Sequence, residues 1–296
     1  MGGDHLPEFI SPSGSQPCQV RSDAAPVTIL QPATSWMPLD LADIWKYREL
    51  LVFFVWRDLK VRYSQTTLGA TWAVIQPLLT MAVFTLVFGK LVGVAPNGAP
   101  YPLFALAALV PWTFFANGLH QCSNSIVVSQ HLISKIYFPR LLIPMSILAA
   151  GLVDLMLSFV ILLLALFYYE VLPSINIIWI PFLVVLLFSA ALGYGLWLSA
   201  LNVKYRDIRH TVPFVIQLWL IATPVAYSSN LVPDGWRYLY ALNPMVGVIE
   251  GFRWALLGTP TTVGPMILLA VVVTACLLIS GAFYFRQVER HFADVV

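Results

Sequence analysis

The chain has 296 residues, of which 59% are hydrophobic and only 10% charged, and its mean hydropathy is +0.81. Soluble domains carry about 25% charged residues, so this composition indicates a membrane protein. The net charge of +2 comes without a dense basic cluster, which argues against nucleic acid as a partner, and three scattered cysteines suggest neither a disulfide framework nor a metal site.

The first 40 residues differ in kind from the rest of the chain. They are rich in Pro, Ser and Gln, show no apolar periodicity, and lack the apolar stretch of a secretory signal. We expect residues 1–40 to form a flexible cytosolic tail.

Residues 43–65, DIWKYRELLVFFVWRDLKVRYSQ, predict a helix lying in the plane of the lipid headgroups. The apolar run LLVFFVW has seven residues and is too short to span. On a helix, Trp45, Val52 and Trp56 share a stripe that continues to Leu59 and Tyr63, with basic residues beside it. This pattern is typical of an amphipathic interface helix, although a helix packed on a partner protein would show it too.

Six later stretches are each long and apolar enough to cross a membrane, which takes about 20 residues as a helix. Their approximate ranges are 69–89, 103–127, 141–169, 177–202, 211–228 and 264–285. With a cytosolic N-terminus, thirteen of the sixteen Lys and Arg residues face the cytosol, and only Lys90, Arg237 and Arg253 lie outside. The positive-inside rule therefore predicts that both termini are cytosolic.

Residues 228–260, between the fifth and sixth spans, contain apolar runs too short to cross, ended by Gly258 and Pro260. They predict short re-entrant helices that dip into the outer interface and return. The predicted fold is thus an all-α integral membrane protein over residues 41–296, with six transmembrane helices, an N-terminal interface helix and re-entrant helices between spans five and six.

Polar groups inside the predicted spans are few. Asp154 is the one carboxylate well inside a span, where it predicts either a polar contact between helices or a proton-coupled transport role. His120 is expected to be a packed, hydrogen-bonded residue.

Sequence signatures of catalysis are absent. The chain has no GxxxxGK[ST], HExxH, paired CxxC or GxSxG motif, and its five histidines are dispersed. We expect a protein that is not an enzyme and that binds no metal or cofactor of its own, so energy for any uphill transport must come from a partner.

Residues 131–144, HLISKIYFPRLLIP, lie between spans two and three on the predicted cytosolic side. The stretch is too short for a domain and too polar to cross the membrane. From its residues alone, an ordinary positive-inside loop and a docking element for a partner explain it about equally well.

Three longer motifs resemble a known family. They are WRDLKVRYSQTTLGATWAVIQPLL (56–79), LNVKYRDIRHTVPFVIQLWLIATPVAYS (201–228) and ALNPMVGVIEGFRWALLG (241–258). They look like the permease subunits of ABC-2 type exporters for cell-surface polysaccharides, which include O-antigen, capsule and teichoic acid. The likeness runs from about Asp43 to Arg286.

The resemblance implies the channel-forming permease of an ATP-driven exporter, in the bacterial cytoplasmic (inner) membrane, that moves a lipid-linked polysaccharide from the cytosol to the periplasm or cell surface. It also implies a homodimer, embedded in membrane lipids, that binds two ATPase subunits holding ATP and Mg. Residues 131–140 would then be a coupling segment, with a short helix from His131 to Tyr137 ended by Pro139. Its candidate ATPase-coupling residues are His131, Ile133, Ser134, Lys135, Ile136, Tyr137, Pro139 and Arg140.

The resemblance further implies a transport path along the dimer axis, lined mainly by spans one and five. The candidate lining residues are Trp72, Gln76, Phe84, Gln217, Trp219 and Tyr227, each of which could equally be an ordinary core or lipid-facing residue. A cytosolic gate would hold the lipid pyrophosphate through a basic cluster that also serves topology. The candidate gate residues are Arg57, Lys60, Arg62, Lys204, Arg206 and Arg209.

Three other functions remain open from the sequence. An ABC-2 permease for a drug or small lipid would share most of these features. A membrane enzyme acting on lipid-linked sugars would need carboxylate or histidine pairs, which are not evident. A proton-driven carrier would depend on Asp154 alone.

Overall fold

A computed structural model describes residues 45–64, 71–93, 99–258 and 263–289. The predicted tail (1–40) lies outside the described residues, as do the first residues of the predicted interface helix and of the first span. In the described ranges the fold is helical throughout, as predicted.

Ten α-helices lie in the described ranges and are numbered in chain order. They are α1 (Arg48–Ser64), α2 (Thr71–Phe84), α3 (Tyr101–Val128), α4 (Gln130–Ile133), α5 (Leu142–Tyr168), α6 (Ile180–Lys204), α7 (Ile208–Ala222), α8 (Asp234–Ala241), α9 (Pro244–Leu257) and α10 (Val263–Glu289). A π-helix, Thr85–Leu91, continues α2, and short 3₁₀-helices, Ile175–Trp179 and Ser229–Leu231, precede α6 and α8.

Five helical stretches of the described chain are long and apolar enough to cross a membrane, where six were predicted. Their ranges are Val74–Leu91, Tyr101–Val128, Leu142–Tyr168, Ile175–Lys204 and Gly264–Glu289. The helix predicted for residues 211–228 is α7, which has 15 residues and ends at Ala222. At 1.5 Å per residue it reaches about 22 Å, less than the roughly 30 Å of a hydrocarbon core.

Helix α7 ends early because of the residue that follows it. Thr223 has an extended backbone (φ −108°, ψ 144°) and precedes Pro224. A proline disfavours helical geometry in the residue before it, so the chain continues beyond Ala222 without a helical ladder.

Helix α3 is the centre of the fold. In its most apolar window, 78% of the residues are buried inside the protein, against 28% for α5 and for α10. Helices α5, α6 and α9 pack around it, and α2 and α7 also contact it. The outer helices therefore keep apolar faces that the described chain does not cover, as expected of helices that meet lipid or another subunit.

Two glycines allow α6 and α10 to pack closely. A Cβ added to Gly281 would lie 2.7 Å from the Gly193 carbonyl oxygen, and one added to Gly193 would lie 3.0 Å from the Leu278 nitrogen. Nearby, the rings of Trp197 and Tyr284 stack with centroids 4.4 Å apart. Small residues at a crossing let two membrane helices approach by van der Waals contact.

The region between α7 and α10 folds onto the rest of the protein through defined hydrogen bonds. Asn243 caps α9 by accepting from the Met245 N–H, and its side-chain amide donates to Thr223 Oγ1 at 3.0 Å. At the other end, Gly258 terminates α9 in the left-handed conformation (φ 65°), and the Ser174 N–H donates to the Leu256 carbonyl. Helix α9 thus runs between the end of α7 and the start of the 3₁₀-helix before α6.

Candidate coupling and transport sites

The predicted coupling segment is a short helix followed by a tight loop. Helix α4 has four residues and ends at Ile133, so the helix predicted over His131–Tyr137 is shorter than expected. Turn hydrogen bonds, such as Ile136 N–H to the Leu132 carbonyl at 3.2 Å, carry the chain on to Phe138. Phe138 precedes Pro139, which explains why the helix does not resume there.

The tip of this loop is exposed, whereas its base is held in the core. Ile136 and Tyr137 are 56% and 76% exposed, but Phe138 is only 5% exposed. The Phe138 ring packs edge-on against that of Phe54 on α1, with centroids 5.4 Å apart. A firmly anchored loop with an apolar, exposed tip is suited to docking on another protein.

Arg140 ties the same loop to the end of α10. Its guanidinium donates to the Glu289 carbonyl oxygen at 2.6 Å and lies 3.9 Å from the Glu289 carboxylate. The residues of the loop also line an open groove of about 320 Å³; they are Ile133, Ser134, Lys135, Ile136, Tyr137, Phe138 and Arg140. The predicted coupling segment therefore contacts both α1 and α10.

Helix α1 packs against α5 and carries one apolar and one polar anchor. Phe54 is buried, and the Asp58 carboxylate accepts from Ser146 on α5 at 3.1 Å and from Arg57 at 2.8 Å. On the other side of the helix Val52 and Trp56 are exposed, and the Lys60 ammonium lies 4.9 Å from the centre of the Trp56 ring. Arg57 is thus paired within its own helix.

The end of α1 is fastened by a network around Asp154. The Asp154 carboxylate accepts hydrogen bonds from Arg62 and from the Tyr63 hydroxyl, and Arg62 also donates to Gln121 on α3 at 2.6 Å. Burial raises the pKa of Tyr63 to about 12, and the hydrogen bond to Asp154 adds to the shift, so the phenol stays a donor. Of the two roles expected for Asp154, these contacts favour the structural one, and its partner is α1.

The other three predicted gate residues lie at the junction of α6 and α7. Lys204, Arg206 and Arg209 are all exposed, and the Lys204 ammonium lies 5.3 Å from the centre of the Tyr205 ring. Helix α1 packs on α5, whereas α7 packs on α3 and α6. Within one copy of the chain the six predicted gate residues therefore form two separate groups.

The predicted lining residues divide by environment. Gln76 and Gln217 are exposed, as a lining role requires, while nothing is described of the Trp72 side chain. Phe84 packs against Phe88 with ring centroids 5.5 Å apart. Trp219 sits in an aromatic cluster with Phe115 and Tyr194, at 5.2 and 4.7 Å, and the Tyr227 hydroxyl contacts that of Tyr240 at 3.0 Å.

A buried ion pair in α9 was not predicted from the sequence, which placed Arg253 only as an outside positive charge. Arg253 is fully buried and pairs with Glu250 at 3.2 Å. Its guanidinium also donates to the carbonyls of Phe104, Val225 and Tyr227 at 2.8–3.3 Å and lies over the Phe104 ring. The detectable signal was a Glu and an Arg three residues apart inside the apolar run MVGVIEGFRWALLG.

In the described ranges, no group of three or more His, Cys, Asp or Glu side chains could hold a metal ion.

Comparison with known protein families accounts for this architecture. Residues 49–257, most of the chain, match the family described as ABC-2 type transporter. The chain therefore belongs to the ABC-2 type transporter family, and it is a multi-pass membrane permease.

Several curated relatives are similar over nearly their whole length. An O-antigen export system permease protein RfbA from Myxococcus xanthus is 28% identical over 256 residues, covering 86% of this chain and 98% of the relative. An RfbA protein from Klebsiella pneumoniae is 28% identical, covering 84% and 95%. The polysialic acid transport protein KpsM of Escherichia coli is 22% identical, covering 79% and 91%.

Proposed function

We propose that the chain is the permease subunit of an ATP-driven exporter that moves a lipid-linked polysaccharide, such as O-antigen, from the cytosol across the bacterial inner membrane. Membership of the ABC-2 family supports the transport class. The names of the relatives, O-antigen export permeases and a polysialic acid transport protein, support a glycan substrate. ATP and Mg would bind to a separate ATPase subunit, since this chain has no phosphate-binding loop motif.

The observation that carries the proposal is the anchored loop with its exposed tip. Ile136 and Tyr137 offer an apolar surface of the kind that fills a groove in a partner, and Lys135 adds a positive charge beside it. Phe138 and Arg140 connect this surface to α1 and α10. Movement of a docked ATPase would therefore act on two elements of the permease at once.

The proposed topology has six crossings and cytosolic termini. Helix α7 with the extended residues after it would form the fifth crossing, and α8 and α9 would enter from the outer side and return. The Asn243–Thr223 hydrogen bond supports this arrangement, because it places the start of α9 beside the end of α7. The Ser174–Leu256 bond places the end of α9 beside the start of the fourth crossing.

Two copies of the chain would enclose the transport path. In the first span, Val74–Leu91, only 6% of the most apolar window is buried within one copy, and α7 also exposes Phe214 and Leu218. Both helices carry an exposed glutamine, Gln76 or Gln217, that lipid would not satisfy. A two-fold dimer would supply the second docking loop for the second ATPase.

The proposed gate for the lipid pyrophosphate is centred on Lys204, Arg206 and Arg209. These cations are exposed, whereas Arg57 and Arg62 already hold Asp58 and Asp154, so any contribution from α1 would come mainly from Lys60. Replacing Arg206 by Glu should abolish export while the protein still inserts. Loss of insertion in this variant would contradict the gate assignment, because it would show a role in topology instead.

The first experiment is a deletion strain in which the position of the lipid-linked polysaccharide is measured. Polymer trapped on the cytosolic side, together with a cell surface stripped of that glycan, is the expected result. Restoration by the wild-type gene is the control. A normal surface glycan in the deletion strain would overturn the glycan assignment and point to an ABC-2 permease for a small lipid or drug.

A further inference from the structure

Helix α3 carries a run of polar side chains along one side, although it is the most buried span. They are Thr113, Asn117, His120, Gln121 and Asn124, called here the polar face. Residues advance by about 100° on a helix, so these five fall within roughly a 100° sector and extend over about 16 Å of helix length. A spacing of three or four residues places neighbours next to each other on the surface.

Two members of the polar face are exposed in the middle of a predicted span. Asn117 and His120 are exposed, and Thr113, Gln121 and Asn124 are half-buried. The opposite side of the same turns is buried, as Leu119 and Cys122 show. Toward the start of α3 the face closes, because Leu106, Leu109 and Val110 on the same side are buried. The face is therefore open only along the half of α3 that leads to the coupling segment.

The members of the polar face differ in their hydrogen bonds. Gln121 accepts from Arg62, Asn124 accepts from Asn202 at 3.3 Å, and Thr113 donates to a carbonyl of its own helix. Among the residues that the structure describes, the Asn117 amide and the His120 ring have no hydrogen-bond partner. His120 is thus not the packed, hydrogen-bonded residue expected from the sequence.

Lipid hydrocarbon cannot form hydrogen bonds with the exposed groups of the polar face. An amide or imidazole that faces hydrocarbon without a hydrogen bond is strongly disfavoured, so the polar face must meet water, a polar ligand or another protein surface. Helices α2 and α7 both pack against α3, and each carries an exposed glutamine, Gln76 or Gln217. Helix α3 and two helices that pack on it therefore all carry exposed, uncharged hydrogen-bonding groups.

We propose that the polar face of α3, centred on Asn117 and His120, is a binding wall for sugar hydroxyl groups in the cytosolic half of the transport path. The inference rests on the proposed function. Amide and imidazole groups both donate and accept hydrogen bonds, as hydroxyls do, whereas phosphate would select cations. Arg62, a cation that contacts the polar face at Gln121, is already paired with Asp154, so the wall is suited to an uncharged section of polymer.

The geometry also fits a moving polymer. Polar groups repeat along the wall with helical spacing, about 5–6 Å between neighbours, so a chain could exchange one set of hydrogen bonds for the next. Many weak and equivalent sites allow conduction, while one strong site would arrest it.

Cysteine labelling tests whether the polar face is wet. Asn117→Cys and His120→Cys, each made in a C18S/C122A/C276A chain, are exposed to a membrane-impermeant maleimide in inside-out vesicles. The matched control is the C18S/C122A chain, which keeps Cys276, an exposed residue on the apolar side of α10 beside Val272 and Ile279. Labelling should be about tenfold faster or more at the two new thiols, because a thiol in hydrocarbon does not ionise. Equal, slow labelling would overturn the proposal, and would show a face that meets lipid or is covered by a second copy.

Export measurements test contact with the glycan. The double variant Asn117→Leu/His120→Leu should insert normally but export the strain's own glycan several-fold more slowly, and Asn117→Gln/His120→Gln should retain most export. Cys276→Leu is the control for an added leucine in a span. Wild-type export by the leucine variant would overturn the sugar-binding wall, as would equal loss in the glutamine variant, which would indicate a packing role. These results are read in a strain whose deletion traps glycan, so failure of the wall is distinct from failure of the proposed function.

Discussion

Replacing Arg253 by Met should destabilise the protein by about 3–5 kcal/mol, because it removes one partner of a buried ion pair. Arg253 is fully buried, and Glu250 is nearly so. In the variant, Glu250 would keep only the Ser229 N–H as a hydrogen-bond donor, at 3.3 Å, and three backbone carbonyls would lose the guanidinium. A buried acceptor left without a donor costs about 1–3 kcal/mol, so lost carbonyl contacts add to the cost of the unpaired charge.

The double variant Glu250→Gln/Arg253→Met separates the charge from the packing. It still lacks the guanidinium, but it leaves no unpaired carboxylate, and a glutamine oxygen can still accept from Ser229. We therefore expect the double variant to be about 2 kcal/mol more stable than Arg253→Met alone. The difference between the two measures the cost of the unpaired charge.

The assay is thermal unfolding of the detergent-solubilised protein. For domains of 150–250 residues, 1 kcal/mol corresponds to about 2–4 °C, so Arg253→Met should lower the Tm by roughly 6–20 °C. Arg209→Met, at an exposed position, is the matched control and should shift the Tm by no more than about 2 °C. A double variant no more stable than the single one, or an Arg253→Met Tm close to that of the control, would refute this account of the pair.

Three further predictions concern packing, the α1 anchor and the coupling loop. Gly281→Leu should destabilise the protein by about 1–3 kcal/mol and lower the yield of folded protein in a detergent screen, because its Cβ would meet the Gly193 carbonyl. Gly264→Leu, which has open space around it, is the control and should fold normally in the same screen. Asp154→Asn should speed tryptic cleavage at Arg62 in limited proteolysis, since it removes the charge that holds the end of α1; an unchanged rate would show that the hydrogen bonds suffice. Tyr137→Ala should leave the Tm unchanged but reduce export, while Phe138→Ala should lower stability by about 3–5 kcal/mol. Equal Tm values for the two variants would contradict the division of the loop into an exposed tip and a buried anchor.

The family and the five long apolar helices of the described chain were accessible from sequence, but the sixth predicted span and several boundaries were not. The predicted second, third, fourth and sixth spans correspond to α3, α5, α6 and α10, because long apolar periodicity is a strong local signal. The predicted fifth span extended to Ser228 because the run remains apolar, yet the backbone leaves the helix at Thr223 before a proline. The coupling helix was also predicted too long: it ends at Ile133, and turns follow it.

The candidate site shows the same division. The sequence identified the basic residues by type and spacing, but it could not separate those that pair from those that stay exposed. Arg62 and Asp154 lie 92 positions apart, and Arg253 and Phe104 lie 149 apart, so their contacts exist only once the helices pack. His120 was misjudged as a packed residue for the same reason, since the side of α3 left uncovered is set by which helices surround it.

Composition and the lengths of the apolar segments by themselves determined that this chain is a multi-span helical membrane protein, because hydrocarbon imposes length and polarity on each segment locally. The family was accessible only through the resemblance of its motifs to known permeases. Only the tertiary structure decided which charges are neutralised, which loop residues form the exposed tip, and which side of α3 presents its polar groups. Those properties depend on contacts between segments far apart in the chain, and no local pattern encodes them.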